Sequence, residues 1–170
     1  MKYLGKKSLS SLLSKLLNVF WYLVLIGSIA GAIVMVDILF STPVDDPTVS
    51  GIDKIRYHIF NSVNENDEEW QTISALPVAV KVFMMFYFSA FITLLLLIIK
   101  KGQHVFKNFQ KNIVFNEKNV LLIRKTSKLL IVFAIMSFNF STLLVSLILL
   151  IITEIFKNGT TLQQEHDLTI

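Results

Sequence analysis

The chain has no cysteine, and its 170 residues include only three prolines and six glycines. The absence of cysteine excludes disulfides, thiolate metal sites, lipid attachment through a cysteine and a cysteine nucleophile. Charged residues are also scarce, at 16 per cent of the chain, against roughly 25 per cent in soluble proteins. The shortage of charge therefore points away from a soluble domain.

Apolar residues make up 54 per cent of the chain and are concentrated in three blocks without charged side chains. The blocks cover residues 16–36, 82–99 and 129–152. Since an α-helix needs about 20 apolar residues to cross a bilayer, each block has roughly the length of a membrane span. We predict an all-α integral membrane helical bundle of three or four transmembrane helices, formed by the whole chain as a single membrane domain.

A cleaved secretory signal is the alternative interpretation of the first block. Lys2, Lys6 and Lys7 form a basic start, and Ala30-Gly31-Ala32 resembles a cleavage site. The apolar run continues through Val36, beyond that site, and this favours a membrane span.

The third block has two interpretations, because Ser137, Asn139 and Ser141 interrupt it near its middle. Hydropathy favours one tilted helix with a polar stripe. The alternative is two shorter helices joined by a turn at residues 137–141, with Arg124, Lys125 and Lys128 extending to the headgroups. Three spans would place the two chain ends on opposite sides of the membrane, and four would place them on the same side.

The charges are divided unequally among the segments that flank these blocks. The formal charge is +4 for residues 1–15, −6 for residues 37–80, +7 for residues 100–128 and −2 for residues 153–170. Basic segments stay on the cytoplasmic side of a membrane. We therefore predict a multi-pass protein of the bacterial inner (cell) membrane with a cytoplasmic N-terminus, an outer loop at 37–80 and an inner basic loop at 100–128.

The outer loop contains all three prolines and most of the acidic residues. Residues 52–63 have helical apolar spacing and predict a short surface helix. A bound divalent cation is an alternative role for the acidic residues, but no calcium-binding motif is present and the three histidines, His58, His104 and His166, lack ligand spacing. We predict no cofactor and no metal.

The inner loop has amphipathic spacing at its start. Phe106, Phe109 and Ile113 recur on one helical face, with Lys107 and Lys111 between them. This pattern predicts an interfacial amphipathic helix on an anionic bilayer surface. Asn116 then has the position of an N-cap for a new helix. Direct nucleic-acid binding is the alternative, but the phenylalanines are spaced for one helix face rather than for stacking bases.

Small residues predict where helices approach closely. Gly27 and Gly31 are spaced for such packing, as are Ser137 and Ser141, and the same spacing allows a homo-oligomer. The middle of each apolar block lacks the ionisable residues that intramembrane catalysis and ion pathways use. We therefore predict that the protein is not an enzyme.

The sequence also resembles a known family. The matching stretches read VFKNFQKNIVFNEKNVLLIRK and EIFKNGTTLQQEHDLTI, and they are similar to small bacterial membrane proteins of unknown function (domain of unknown function two-nine-seven-five). The resemblance covers residues 104–170 well and residues 1–36 loosely. It implies four spans, although the usual linker between the last two is reduced here to residues 137–141. It also implies a partner, since such proteins are often encoded beside a small helix-turn-helix regulator of the Cro/repressor type.

The end of the chain is the most specific part of the resemblance. It consists of Glu165, Asp167, Leu168, Thr169 and Ile170. We expect the last helix to close at Gly159, with Lys157 near its C-terminal dipole, and the tail to bind a partner as a short strand or to fold back on the inner loop. The predicted function is a membrane sensor or anchor for the regulator; the alternative is a small transporter, channel or immunity-type protein whose acidic outer loop meets the ligand.

Overall fold

The computed structural model describes Gly5, residues 8–40 and residues 76–168. Four helices follow one another along these residues: α1 (Leu9–Phe40), α2 (Val78–Gln110), α3 (Glu117–Met136) and α4 (Phe140–Leu168). No strand occurs in the described ranges. The prediction of an all-α fold is confirmed.

Three of the four helices are long and apolar enough to cross a membrane. The candidate spans are Leu9–Val36 on α1, Val78–Gln110 on α2 and Phe140–His166 on α4. α3 is not among them, because Arg124, Lys125 and Lys128 interrupt its apolar sequence. The fold is that of a multi-pass membrane protein.

The distribution of buried residues supports this assignment. Among the described residues, ten polar side chains are buried but only six hydrophobic ones, whereas the interior of a soluble protein is mainly apolar. Large apolar side chains are instead exposed along the spans, for example Leu23 at 62 per cent and Phe86 at 74 per cent. An apolar exterior around small polar contacts is the arrangement that lipid favours.

The third apolar block forms two helices, so the single helix favoured by hydropathy is wrong. α3 ends at Met136, and α4 begins at Phe140. In the turn between them, Phe138 N–H donates to Ile135 O and Asn139 N–H donates to Ala134 O, the pair of bonds that closes a Schellman motif. Asn139 then caps α4 by accepting a hydrogen bond from Thr142 N–H at 2.9 Å.

The predicted interfacial helix is not a separate element. Phe106, Lys107 and Phe109 belong to the last two turns of α2, which continues without interruption from Val78 to Gln110. At 1.5 Å per residue α2 is about 50 Å long, against roughly 30 Å of hydrocarbon. Helix formation therefore continues past Lys100 and Lys101, where the sequence pattern predicted a break.

α3 and α4 pack against each other through a seven-residue repeat. Val120, Ser127 and Ala134 are buried on α3, and Ser146, Thr153 and Thr160 are buried on α4. This spacing keeps one narrow seam facing the partner helix, and the small side chains allow close approach. The hydroxyl groups of Ser127 and Thr153 donate to carbonyl oxygens of their own helices, so their burial leaves no donor unpaired.

The chain divides into two compact units. One comprises residues 1–27 and 90–170, and the other comprises residues 28–89. In the second unit, the position of a Cβ at Gly31 would lie 3.7 Å from Cζ of Phe88. The candidate site described below lies entirely within the first unit.

Candidate functional site

The turn between α2 and α3, residues 111–116, is held by a buried amide. Nδ2 of Asn119 donates to the carbonyl oxygens of Ile113 and Val114 at 2.8 and 2.9 Å. Its Oδ1 accepts a hydrogen bond from Nδ2 of Asn108 on α2. Asn119 is completely buried, and these pairings offset the cost of removing its amide from water. One side chain thus joins the turn to both helices.

An aromatic cluster joins the same turn to α4. The rings of Phe109 and Phe156 stack with centroids 6.0 Å apart, and the Phe115 ring lies 5.5 Å from that of Phe156. A Cβ at Gly159 would lie 2.6 Å from two carbons of the Phe115 ring. Because no larger residue fits there without moving the ring, Gly159 allows the turn to pack directly on α4.

The beginning of the chain reaches this turn as well. Gly5 N–H donates to Phe109 O at 3.4 Å, and Ser8 Oγ donates to Gly5 O at 2.6 Å. Farther along α1, Asn18 Oδ1 accepts from Gln103 Nε2 at 2.8 Å. We call the assembly of Gly5 with residues 8–18, 100–124 and 153–166 the basic end.

The basic end settles the relative position of two chain segments that the sequence left open. Gly5, just before α1, and Phe156 in α4 both contact Phe109 in the last turn of α2. The two segments therefore lie at the same end of this unit. This is the arrangement expected when the third apolar block is divided between two helices rather than formed by one.

An open groove of about 490 Å³ lies between the first half of α3 and the second half of α4. Its lining residues are Glu117, Lys118, Val120, Leu121, Arg124, Lys157, Thr160, Thr161 and Gln164. An adjoining hollow of about 460 Å³ shares four of them and adds Phe115, Asn116 and Gln163. We call the two together the α3–α4 groove.

The α3–α4 groove has a positive charge. Lys118, Arg124 and Lys157 line it with a single carboxylate, Glu117. Lys157 pairs with Glu154 at 3.1 Å, but both side chains are more than half exposed, so this ion pair is weak. Within the described residues, no carboxylate pairs with Lys118 or Arg124. The groove therefore suits the reversible binding of an acidic group.

The start of α3 adds to this potential. Asn116 is in extended backbone conformation and its side chain accepts a hydrogen bond from Lys118 N–H at 2.8 Å. The predicted N-cap is confirmed. The N-terminus of the helix adds a partial positive charge beside the groove.

The residues predicted to lie on the membrane surface have different surroundings. Lys107 and Lys111 are exposed, and Ile113 is exposed in the turn after α2. Phe106 and Phe109 contact each other edge to face, with centroids 6.2 Å apart, and Phe109 also stacks on Phe156. Phe109 is thus half-buried against α4, because the turn after Gln110 brings α4 against it.

The residues predicted to pack helices closely have mixed surroundings. A Cβ at Gly31 would lie at contact distance from Phe88, whereas among the described residues nothing lies within 4 Å of a Cβ built at Gly27. Ser137 is the C-cap of α3 and Ser141 lies in the first turn of α4. They cannot form one helix face, because the helix ends between them.

The expected end of the last helix at Gly159 is wrong. α4 continues through Gly159 to Leu168, and Thr160 Oγ1 donates to Phe156 O within it. Lys157 consequently lies inside the helix. Glu165, Asp167 and Leu168 are helical rather than extended, whereas Thr169 and Ile170 lie outside the described residues. The role of these five residues in partner binding stays a prediction.

Several predictions fall on the outer loop. The surface helix at 52–63, His58 and the acidic residues proposed as a cation site or ligand site lie outside the described residues. In the described part of the chain, no group of three or more His, Asp or Glu side chains is placed to hold a metal ion.

Sequence reasoning missed Asn119 and the α3–α4 groove. Asn119 lies two residues after the start of α3, where the sequence gives no reason to expect a buried side chain. It is buried because the turn after α2 brings the carbonyl groups of Ile113 and Val114 to it. Gly159 was a partial signal, because a glycine within a helix allows another element to approach its backbone closely.

Comparison with known proteins adds no family assignment. The chain matches no protein-family model, and no curated protein or solved structure is similar to it at a significant level.

Proposed function

We propose that this protein is a multi-pass membrane protein of the bacterial inner membrane that holds a soluble partner at its basic end. The positive-inside rule assigns the basic end to the cytoplasm. The family resemblance in the sequence makes a small helix-turn-helix regulator the partner of choice. The protein acts by binding, as an anchor or as a sensor that releases the partner.

One observation carries this proposal. α4 continues as a helix well past the contact between Gly159 and Phe115, and residues 161–166 are exposed. A helix that extends from a bilayer beside an open groove offers two adjacent surfaces to a soluble protein. The charges of Lys118 and Arg124, which are unpaired within the described residues, favour a partner with an acidic surface.

Co-purification tests the proposal. A small helix-turn-helix regulator of the kind that the family resemblance implies is expressed with the full-length chain and with a chain that ends at Gln164, and its recovery on the membrane is measured. We expect the truncation to lower recovery at least tenfold, because it removes the end of α4. Equal recovery from both chains would contradict a role for residues 165–170.

Charge reversal tests the groove separately. Lys118→Glu with Lys157→Glu changes the sign of the α3–α4 groove, and we expect it to lower recovery of the regulator. Lys125→Glu is the matched control, since Lys125 is an exposed lysine of α3 outside the groove lining. If the control lowers recovery as much as the groove variant, general charge rather than the groove accounts for binding.

A further inference from the structure

α3 and α4 form a helical hairpin whose turn carries exposed aromatic residues. The turn comprises residues 137–139, and α4 follows at Phe140. Phe138 is 95 per cent exposed and Phe140 is 70 per cent exposed. Two neighbouring exposed phenylalanines at the end of a hairpin indicate a surface that contacts a membrane or another protein. We call residues 137–140 the tip.

The depth of the tip follows from a contact with α2. The rings of Phe91 and Phe133 pack with centroids 4.5 Å apart. Phe91 lies near the middle of the apolar block 82–99, about 12 Å along the helix from Ile99 and about 13 Å from Val82. Because Phe138 follows Phe133 by only five residues, the tip lies within about 7 Å, along the helix axis, of this contact near the middle of the block.

The positions of the lysines of α3 indicate the same depth for the tip in the hydrocarbon layer. Lys128 precedes Phe138 by ten residues, or about 15 Å along the helix. If the tip reached the far surface of a hydrocarbon layer of about 30 Å, Lys128 would lie at its centre. Lys125 and Lys128 are both exposed, so they would face lipid there, which is strongly unfavourable. With the tip inside the layer, both lysines extend to the near headgroups.

The backbone of the tip is suited to lipid. Phe138 N–H and Asn139 N–H donate to carbonyl oxygens of α3, and Ser137 Oγ donates to Phe133 O at 2.8 Å. On α4, Thr142 N–H is paired with the Asn139 side chain. Backbone polar groups within a bilayer must be paired inside the protein, and these bonds pair the N–H groups of Phe138, Asn139 and Thr142.

We propose that α3 and α4 form a re-entrant hairpin. It enters the bilayer from the side of the basic end, turns at the tip inside the hydrocarbon layer and returns to the same side. Phe138 and Phe140 contact lipid acyl chains. The two ends of the chain then share one side of the membrane with only α1 and α2 crossing it completely.

The lack of cysteine in the chain makes thiol labelling a direct test. Ser141→Cys is a near-isosteric probe in the first turn of α4, and Ser141 is exposed. Asn158→Cys reports the basic end, and Ser62→Cys reports the segment that the charge pattern assigns to the outside. Each variant of the full-length chain is treated with a membrane-impermeant maleimide in intact cells and in inverted vesicles, and then again after denaturation in detergent.

We expect the thiol at position 141 to react from neither side and to react fully after denaturation, while each control reacts from one side. Labelling of position 141 in the same preparation as position 62 would overturn the proposal, because the hairpin would then cross the membrane. Labelling in the same preparation as position 158 would also overturn it, because the tip would lie in water. Phe138→Cys repeats the test if Ser141→Cys does not fold.

Fluorescence quenching then distinguishes lipid contact from burial in protein. A fluorophore on the position-141 thiol is reconstituted into vesicles whose lipids carry bromine at the middle of the acyl chains. We expect at least twofold stronger quenching than for the same fluorophore at position 158. Equal quenching at the two positions would contradict contact between the tip and the acyl chains.

Discussion

The two turns of the first unit use the same backbone device with different side chains. After α2, Asn112 has φ of 60°, and Asn112 N–H and Ile113 N–H donate to Phe109 O and Asn108 O. After α3, Phe138 has φ of 49° and the two equivalent bonds form. Asparagine is one of the residues that adopt this left-handed conformation readily, whereas for phenylalanine it costs about 1–2 kcal/mol.

The surroundings of the two turns explain the difference. The α2–α3 turn, residues 111–116, which we call the inner turn, is held to its neighbours by Asn119, by the aromatic cluster and by Gly5. The tip is closed by bonds to the adjoining turns of α3 and α4. A polar residue suits a turn that forms part of a protein interface, and an aromatic residue suits a turn that ends in lipid. The backbone thus defines the turn, and its surroundings select the side chain.

The largest expected effect is on the inner turn. Asn119→Ala removes three hydrogen bonds and leaves two part-buried carbonyl oxygens of the turn without their partner. We expect a loss of about 2–4 kcal/mol in the free energy of unfolding in micelles. Asn108→Ala, which removes only one of these bonds, is the comparison. If both variants lose the same stability, Asn119 does not organise the turn.

The next effect is at the contact between the inner turn and α4. Gly159→Ala places a Cβ within 2.6 Å of the Phe115 ring, and we expect a net loss of about 1–3 kcal/mol from the displaced ring. Gly27→Ala is the matched control, because open space surrounds that position, and its stability should equal or exceed that of the natural chain.

A double substitution checks the cause of the Gly159 effect. Adding Phe115→Ala to Gly159→Ala should remove the clash, so the double variant should lose less than the sum of the two single losses. Simple additivity would show that the two residues do not interact.

Substitution of the two N-cap residues should cause a smaller loss of stability, and the size of the loss should differ between the two caps. Asn116→Ala and Asn139→Ala each remove one capping bond, worth about 1 kcal/mol in water. In a bilayer, water replaces the lost partner at Asn116 but not at the tip. Thermal unfolding in reconstituted vesicles should therefore show the larger loss for Asn139→Ala. The opposite order would indicate that the tip is hydrated.

The smallest expected effect concerns the two residues with left-handed backbone conformation, Asn112 and Phe138. Phe138→Gly relieves the backbone cost of φ near 49° and should raise the free energy of unfolding in micelles by about 1 kcal/mol. Asn112→Gly should change it by only a few tenths of a kcal/mol. A loss of stability in Phe138→Gly would mean that the phenylalanine makes stabilising contacts in the folded protein.

The features that sequence predicted correctly depend on local chemistry. The apolar blocks at 16–36 and 82–99 lie within α1 and α2, because length and hydropathy alone determine a span. Asn116 was identified as an N-cap because a cap is read from adjacent residues.

The errors concern residues whose role depends on distant neighbours. Gly159 has the sequence signal of a helix end, but a glycine is also needed where Phe115 packs on the helix. Phe109 has the spacing of a membrane-facing residue, but its ring stacks on Phe156, which lies far along the chain. Hydropathy favoured one helix through residues 137–139, because the apolar character continues through Phe138 and Phe140. The polar residues Ser137, Asn139 and Ser141 supported the alternative with a turn, which the structure has.

We infer that the start of α1, the α2–α3 turn and the second half of α4 form one assembly on one side of the membrane. Compartment-specific reporter proteins fused before Met1 and after Ile170 test it most directly. We expect both fusions to report the cytoplasm. Reporters active in opposite compartments would contradict the claim, because the contacts of Phe109 with Gly5 and Phe156 could not then both exist.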